Sequence, residues 1–213
     1  AGARGQALLR QLEVGAATPR TRTAGPPEPR LAWNRATEAL YAAWIAHLFD
    51  APPDAPLAFP SLEPVLRDPE RNFLHDHLGM GEDEPGPGAL RATPDCADLP
   101  YFLRGYFAWK LGLPFAFRTC SRGSASAPPR CGAPVLWDPL EERREPLGGF
   151  RSFSWRVIDG VHSGNARTAL DDEATDFYPI PLDRAALRPG TIYADPYGHT
   201  LLVVGFVAQT PER

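Results

Sequence analysis

One aromatic-rich segment, DCADLPYFLRGYFAWKLGLPF, constrains the fold of this chain more than any other. Its apolar residues recur every three or four positions, which is the spacing of a helix with a buried face. They are Leu99, Phe102, Leu103, Tyr106, Phe107 and Leu111. Pro94 and Asp95 are typical of a helix start, and Gly112 followed by Pro114 is typical of a helix end. We therefore expect a buried helix that has Cys96 at its N-terminus or one residue before it.

The first half of the chain otherwise carries tail and helix patterns. Residues 1–30, with the run TPRTRTAGPPEPR, predict a flexible tail in which a short helix fits at Gly5–Val14. An amphipathic helix follows in LAWNRATEALYAAWIAHLFD, where Asn34 is the expected N-cap. Shorter helices are expected near Leu62–Leu66 and around Glu70–Leu78.

Strand patterns are confined to the second half of the chain. Thr119–Gly149 reads as a long irregular insertion, and FSWRVI (Phe153–Ile158) then has the composition of a strand. The run TIYADPYGHTLLVVGFV predicts two strands around a Pro-Tyr-Gly turn, the second of them buried on both faces. Helices followed by strands predict an α+β fold with helices against an antiparallel sheet. We expect one domain over 31–213, with the insertion at about 119–149.

Composition excludes several classes of protein. A length of 213 residues fits one domain with a sizeable core, and a net charge of −4 gives no basic footprint for nucleic acid. The sequence contains no run of 18 or more apolar residues, so we expect no membrane-spanning helix. The chain starts at Ala1 without an apolar signal-peptide region, which fits either a processed mature protein or a trimmed one.

The three cysteines leave two redox arrangements open. Cys120 and Cys131 bracket SRGSASAPPR, a turn-rich loop whose ends could meet in a disulfide. That pairing would leave Cys96 as a free thiol in an oxidising compartment. The alternative is a cytosolic protein in which all three cysteines are reduced.

Cys96 itself is either a small buried side chain or a nucleophile. Free cysteine is often buried for packing alone. A helix N-terminus, however, lowers the pKa of a cysteine thiol, and first-turn amides can donate to an oxyanion formed when sulfur attacks a carbonyl. The charges of Asp95 and Asp98 oppose this effect, so a cationic partner becomes more necessary.

Five histidines could supply that partner. They are His47, His75, His77, His162 and His199. His47 falls within the first amphipathic helix, and the HDH run points its two imidazoles to different sides of a helix, so we expect no metal site there. His162 lies in a loop. His199 precedes the apolar run TLLVVGFV, and at the rim of that strand it is best placed to reach Cys96 as a base.

Two segments resemble the NlpC/P60 family of cysteine peptidases. DCADLPYFLRGYFAWKLGLP is similar to the family's Asp-Cys-Ser/Ala helix, and LRPGTIYADPYGHTLLVVGFV looks like its later Gly-His strand element. The resemblance implies a papain-like fold with Cys96 as nucleophile and His199 as base. It also implies hydrolysis of an amide bond through a thioacyl intermediate, in peptidoglycan stem peptides, by a secreted or cell-envelope (periplasmic) bacterial protein.

The family's third polar residue has no obvious counterpart here. It lies on the strand after the histidine strand, whereas Gln209 is roughly 33 Å from His199 if the strand stays extended. Asp195, just before the turn, is the better candidate, and His162 and Asn165 are outside ones. A centre of two residues is the remaining alternative.

Two other functions compete with hydrolysis. A catalytically silent module could bind a peptide or cell-wall fragment in an aromatic cleft, for which the available side chains are Trp109, Trp137, Trp155 and Tyr197. The same Cys–His centre could instead transfer the acyl group to another acceptor, which a dry site would favour. We expect no cofactor in any of these cases.

Overall fold

The computed structural model describes residues 32–52, 54–55, 60–87, 89–137, 146–195 and 197–211, with the side chains of 137, 146 and 147 left out. The tail over 1–30, including the helix expected at Gly5–Val14, lies outside these residues. The described elements are α1 (Arg35–Leu48), α2 (Glu63–Leu66), α3 (Asp98–Leu111), β1 (Phe115–Cys120), β2 (Cys131–Trp137), α4 (Pro146–Gly160), a 3₁₀ helix (Ser163–Arg167), β3 (Ile192–Ala194) and β4 (Thr200–Leu202). Helices combined with two small antiparallel sheets make an α+β architecture.

Helix α1 forms where the apolar spacing and the capping residue predict it, and α2 lies within the short helix expected near Leu62–Leu66. The Asn34 side chain accepts hydrogen bonds from the amides of Ala36 and Thr37, and the Thr37 hydroxyl accepts one from the Asn34 amide. This reciprocal arrangement pairs amides at the helix start that would otherwise lack partners. The buried face of α1 then packs into the core through Leu40, Tyr41, Trp44, Ile45 and Leu48.

Helix α3 is buried on nearly all sides and forms the centre of the core. Trp44 of α1 stacks on Tyr106, with ring centroids 5.6 Å apart. On another side, Phe150 of α4 stacks on Trp109 at 4.6 Å. The helix ends at Gly112, whose φ of +65° is a left-handed conformation that favours glycine. Because neighbours hold α3 on several faces, its N-terminal end has a fixed position in the fold.

A disulfide-closed hairpin replaces most of the irregular insertion expected over Thr119–Gly149. Strands β1 and β2 pair in antiparallel register from Phe115 opposite Trp137 to Cys120 opposite Cys131. The two cysteines are joined in a disulfide, one of the two arrangements left open by the sequence. The expectation of an irregular segment is therefore wrong for these strands, because cross-strand pairing outweighs the Pro- and Ser-rich composition of the connecting loop.

The segment FSWRVI is helical and lies within α4, so the expected strand at Phe153–Ile158 is wrong. Phe150, Phe153 and Val157 are buried at helical spacing, whereas Trp155 is 57% exposed. The ring of Phe153 contacts Phe115 of β1 edge to face, at a centroid distance of 5.4 Å. Packing of this face therefore overrides the β-propensity of the aromatic and β-branched residues.

The last apolar run forms a short hairpin instead of a long buried strand. Strands β3 and β4 have three residues each, and their outward side chains Tyr193 and Leu201 are 56% and 51% exposed. Residues 203–210 have no regular structure, and Val207 is 61% exposed. The expected strand buried on both faces is therefore wrong. Only Leu202 and Val204 of this run pack against the core.

The segment around Glu70–Leu78 forms turns instead of the expected helix, because two buried carboxylates bind its amides. Glu82 accepts hydrogen bonds from the Leu78 and Met80 amides, and Asp83 accepts one from the Asp76 amide. Both carboxylates also bind the ammonium group of Lys110 on α3, and all three side chains are almost completely buried. Burial alone would raise the pKa of Glu82, but hydrogen bonds, including that from Lys110, lower it to about 2.

Replacing Lys110 by Met should destabilise the protein by about 3–5 kcal/mol, because two buried carboxylates lose their cation. Arg104→Met is the matched control on the same helix. Arg104 pairs with Glu38 but is 28% exposed, so we expect a loss of only about 1 kcal/mol. Urea unfolding measures both values, and equal losses would contradict the central role of the Lys110 pair.

Removing the disulfide with Cys120→Ser/Cys131→Ser should cost about 3 kcal/mol, since the bridge closes a sequence separation of 11 residues. Cys96→Ser is the control that removes a thiol but no cross-link. The midpoint of urea unfolding, with and without dithiothreitol, checks the prediction. A wild type that is insensitive to the reductant would argue against a stabilising disulfide.

Candidate functional site

Asp95 builds the turn that carries Cys96. Its carboxylate Oδ1 accepts hydrogen bonds from the amides of Ala97 (2.7 Å) and Asp98 (3.0 Å), and its carbonyl accepts one from the Leu99 amide. Helix α3 begins at Asp98, so Cys96 lies two residues before it, inside a turn that already has helical hydrogen bonding. The thiol is half-buried and belongs to the only free cysteine of the three.

The structure brings Cys96 and His199 together. The thiol Sγ lies 3.6 Å from the imidazole Nδ1, across a sequence separation of 103 residues. His199 is exposed and sits in the turn between β3 and β4, where the Asp195 amide donates to the His199 carbonyl at 2.9 Å. Such a distance to a sulfur atom permits a hydrogen bond, and hence proton transfer between the two side chains.

The other imidazole nitrogen, Nε2 of His199, has no hydrogen-bond partner among the residues that the structure describes. The carboxylate of Asp195 instead accepts from the Tyr197 amide at 3.3 Å. Gln209 is exposed and lies beyond β4 in the segment without regular structure. Within the described residues, neither Asp195 nor Gln209 therefore forms a hydrogen bond with the His199 imidazole.

His162 and Asn165 hold the 3₁₀ helix in place. The His162 Nδ1 accepts from the Gly164 amide at 3.0 Å, and its Nε2 lies 2.9 Å from the Cys120 carbonyl. The Asn165 amide group donates to the Arg118 carbonyl at 2.8 Å. Both imidazole nitrogens of His162 and the side-chain amide of Asn165 therefore have hydrogen-bond partners within the fold, away from His199.

The backbone amides at the start of α3 are not all available to a ligand. Those of Ala97 and Asp98 already donate to the Asp95 carboxylate, so they are not free to donate to an oxyanion. The Cys96 amide makes no hydrogen bond within the described residues. It is therefore the amide in this turn that could donate to an oxyanion next to the sulfur.

Asp98 is a buried acid with an unusual environment. The residue is 3% exposed, and its Oδ1 atom is buried without a hydrogen-bond partner in the described part of the chain. Burial, together with the negative charge of Asp95, raises the pKa of the Asp98 carboxyl to about 6. Its charge next to the site therefore changes in the physiological pH range.

The four aromatic side chains expected to line a binding cleft lie in different environments. Trp109 is 3% exposed and belongs to the core, and the side chain of Trp137 lies outside the described residues. Trp155 and Tyr197 are exposed, at 57% and 92%. Of the four aromatic candidates, only Tyr197 is shown within the same turn as His199.

Arg167 is a residue of the site to which no sequence pattern points. Its guanidinium donates to the carbonyls of Asp195 (2.6 Å) and His199 (3.3 Å), the two ends of the histidine turn. Recognition of backbone carbonyls leaves no spacing pattern, so only the tertiary structure reveals it.

Comparisons with known proteins yielded no family: no family model matches the chain, and neither the curated proteins nor the solved structures provide a match. Within the described ranges, no group of three or more His, Cys, Asp or Glu side chains could hold a metal ion. No helix in those ranges is long and apolar enough to cross a bilayer. The geometry around Cys96 is therefore the observation that bears on function.

The raised pKa of Asp98 predicts a pH-dependent stability. The folded state holds the proton up to about pH 6, whereas the unfolded chain releases it near pH 4, so the stability present at low pH is lost as pH rises through this window. Asp98→Asn does not titrate. Its unfolding free energy relative to wild type should rise by on the order of 2 kcal/mol between pH 3.5 and pH 7.5.

Denaturant unfolding at the two pH values measures this difference. Asp171→Asn, which removes an exposed carboxylate, is the control and should show no comparable change. If the difference in unfolding free energy between Asp98→Asn and wild type is the same at both pH values, Asp98 does not carry a raised pKa.

Proposed function

We propose that this chain is a cysteine-dependent hydrolase that cleaves an amide bond through a thioacyl intermediate. The observation that carries the proposal is the 3.6 Å approach of Cys96 Sγ to His199 Nδ1. A thiol and an imidazole at this distance form the minimal nucleophile–base pair. The disulfide between the other two cysteines leaves Cys96 as the one thiol available for this chemistry.

The first half-reaction follows from the geometry. His199 Nδ1 takes the proton from Cys96, and the sulfur attacks the carbonyl carbon of the amide. The C–O double bond becomes an oxyanion, for which the Cys96 amide is the candidate donor. The C–N bond then breaks, the imidazolium gives its proton to the leaving amine, and a thioester of Cys96 remains.

The second half-reaction uses water. His199 Nδ1 takes a proton from a water molecule, whose oxygen attacks the thioester; the C–S bond breaks and the sulfur leaves as the thiolate, which recovers the proton. The exposure of His199 and of Tyr197 means that water reaches the thioester. This observation favours hydrolysis over transfer of the acyl group to another acceptor, which requires a drier site.

The substrate class and family come from the resemblance of the two segments to NlpC/P60 peptidases. On that basis the fold is papain-like and the substrate is a peptidoglycan stem peptide. A bacterial cell-envelope or secreted location fits the disulfide between Cys120 and Cys131, because such bonds persist in oxidising compartments.

A silent binding module is the second candidate function. It is favoured by one observation: within the described residues, no side chain binds Nε2 of His199, whereas an orienting group at this nitrogen is common in Cys–His enzymes. Such a module would bind the same peptide without cleaving it. Reactivity of Cys96 separates the two functions.

Alkylation by iodoacetamide should report on the pair directly. Because Cys120 and Cys131 are bonded, every cysteine modification under non-reducing conditions falls on Cys96. We expect His199→Ala to slow alkylation at pH 6.5 by about tenfold or more, since the thiol loses its base. His75→Ala is the control, because His75 contacts Glu84 instead of the thiol.

Mass spectrometry of stem peptides incubated with the protein tests the substrate. Cleavage that disappears in Cys96→Ser supports the hydrolase, whereas binding without cleavage supports the silent module. If Cys96 reacts only after unfolding, in wild type and variant alike, the enzyme proposal is wrong.

A further inference from the structure

His199 needs external support to stay at the sulfur. The hairpin that carries it has three paired residues on each side, and the outward face of both strands is exposed. Between described residues the turn has three internal hydrogen bonds: from the Asp195 amide to the His199 carbonyl, from the Gly198 amide to the Asp195 carbonyl, and from the Tyr197 amide to the Asp195 carboxylate. So short a hairpin is marginally stable in water on its own.

Arg167 supplies a clamp at the base of this turn. One guanidinium nitrogen, Nη2, donates to the carbonyl of Asp195 at 2.6 Å and to that of His199 at 3.3 Å. The other, Nη1, donates to the Ser163 carbonyl at 2.7 Å, which fixes the guanidinium against its own 3₁₀ helix. Hydrogen bonds from a charged donor are about twice as strong as neutral ones.

The 3₁₀ helix is in turn fixed to the helix that follows Cys96. The Asn165 side chain, 1% exposed, donates to the Tyr101 hydroxyl of α3 at 3.4 Å and to the Arg118 carbonyl of β1. The Tyr101 hydroxyl donates to Asp176 at 2.8 Å. A continuous set of contacts therefore leads from α3 through the 3₁₀ helix to the turn of His199.

We propose that Arg167 is the positioning residue of His199. It touches neither sulfur nor substrate; it holds the two carbonyls at the ends of the turn, so that Nδ1 stays within reach of Cys96. In this way a backbone clamp fixes the position of the imidazole, which is one part of what a third side chain on the ring would otherwise do. This inference rests on the proposed hydrolase function.

The test is the pH profile of Cys96 alkylation in Arg167→Met, with thermal unfolding as a check of folding. We expect the rate at pH 6.5 to fall on the order of tenfold, toward that of His199→Ala, because a displaced imidazole no longer activates the thiol. Arg167→Lys, which keeps one charged donor, should recover part of the rate. Arg188→Met, an exposed cation just before β3, should match wild type.

The possible outcomes separate the inference from the function. A folded Arg167→Met protein whose pH profile coincides with that of wild type overturns the clamp and leaves the hydrolase intact. A wild type whose alkylation does not depend on His199 overturns both. If Arg167→Met fails to fold, Arg167→Lys carries the test, and a rate equal to wild type overturns the inference.

Discussion

The ammonium group of Lys110, buried between Glu82 and Asp83, is the interaction on which the helical half of the structure depends. Lys110 is the only lysine in the chain, and a buried cation is stable only when its charge and hydrogen bonds are satisfied. Asp83 also accepts from the Tyr106 hydroxyl, and Asn72 links that hydroxyl to the indole of Trp44 in α1. One polar network therefore joins the first helix, the turns over 72–83 and the central helix.

This network determines where the candidate nucleophile is presented. Lys110 lies in the last turn of α3, so the C-terminal end of the helix is held by charge, and the stacking of Trp109 on Phe150 supports the same end. The N-terminal end is held differently, by the Asp95 carboxylate, which binds the amides of Ala97 and Asp98, and by the hydroxyl of Tyr101. Because both ends are fixed, Cys96 has a defined position to which a distant histidine can be matched.

The local elements could be predicted where the sequence signal was itself local. Asn34, the apolar spacing of α3 and Gly112 all act within a few residues of the structure they specify, and the structure confirms those helices. The predictions of secondary structure were wrong where packing against residues distant in the sequence determined the structure. Residues Phe153–Ile158, expected to form a strand, are helical because they pack against an aromatic ring of β1. Residues Glu70–Leu78, expected to form a helix, form turns because their amides bind buried carboxylates. The approach of Cys96 to His199 was predicted from two segments in the right order, whereas the contacts of Arg167 had no sequence signal.

A backbone clamp and a third side chain solve different parts of one problem. A side chain on Nε2 fixes both the position of an imidazole and the nitrogen that carries its hydrogen, whereas a clamp on the turn fixes position alone. For Nδ1 of His199 to accept the thiol proton, the hydrogen of the neutral ring must sit on Nε2. Since His199 is exposed, water can accept from that Nε2–H and stabilise the required tautomer. The same exposure that admits the hydrolytic water can thus replace the missing partner, although water screens the charges of the pair more than a buried carboxylate would.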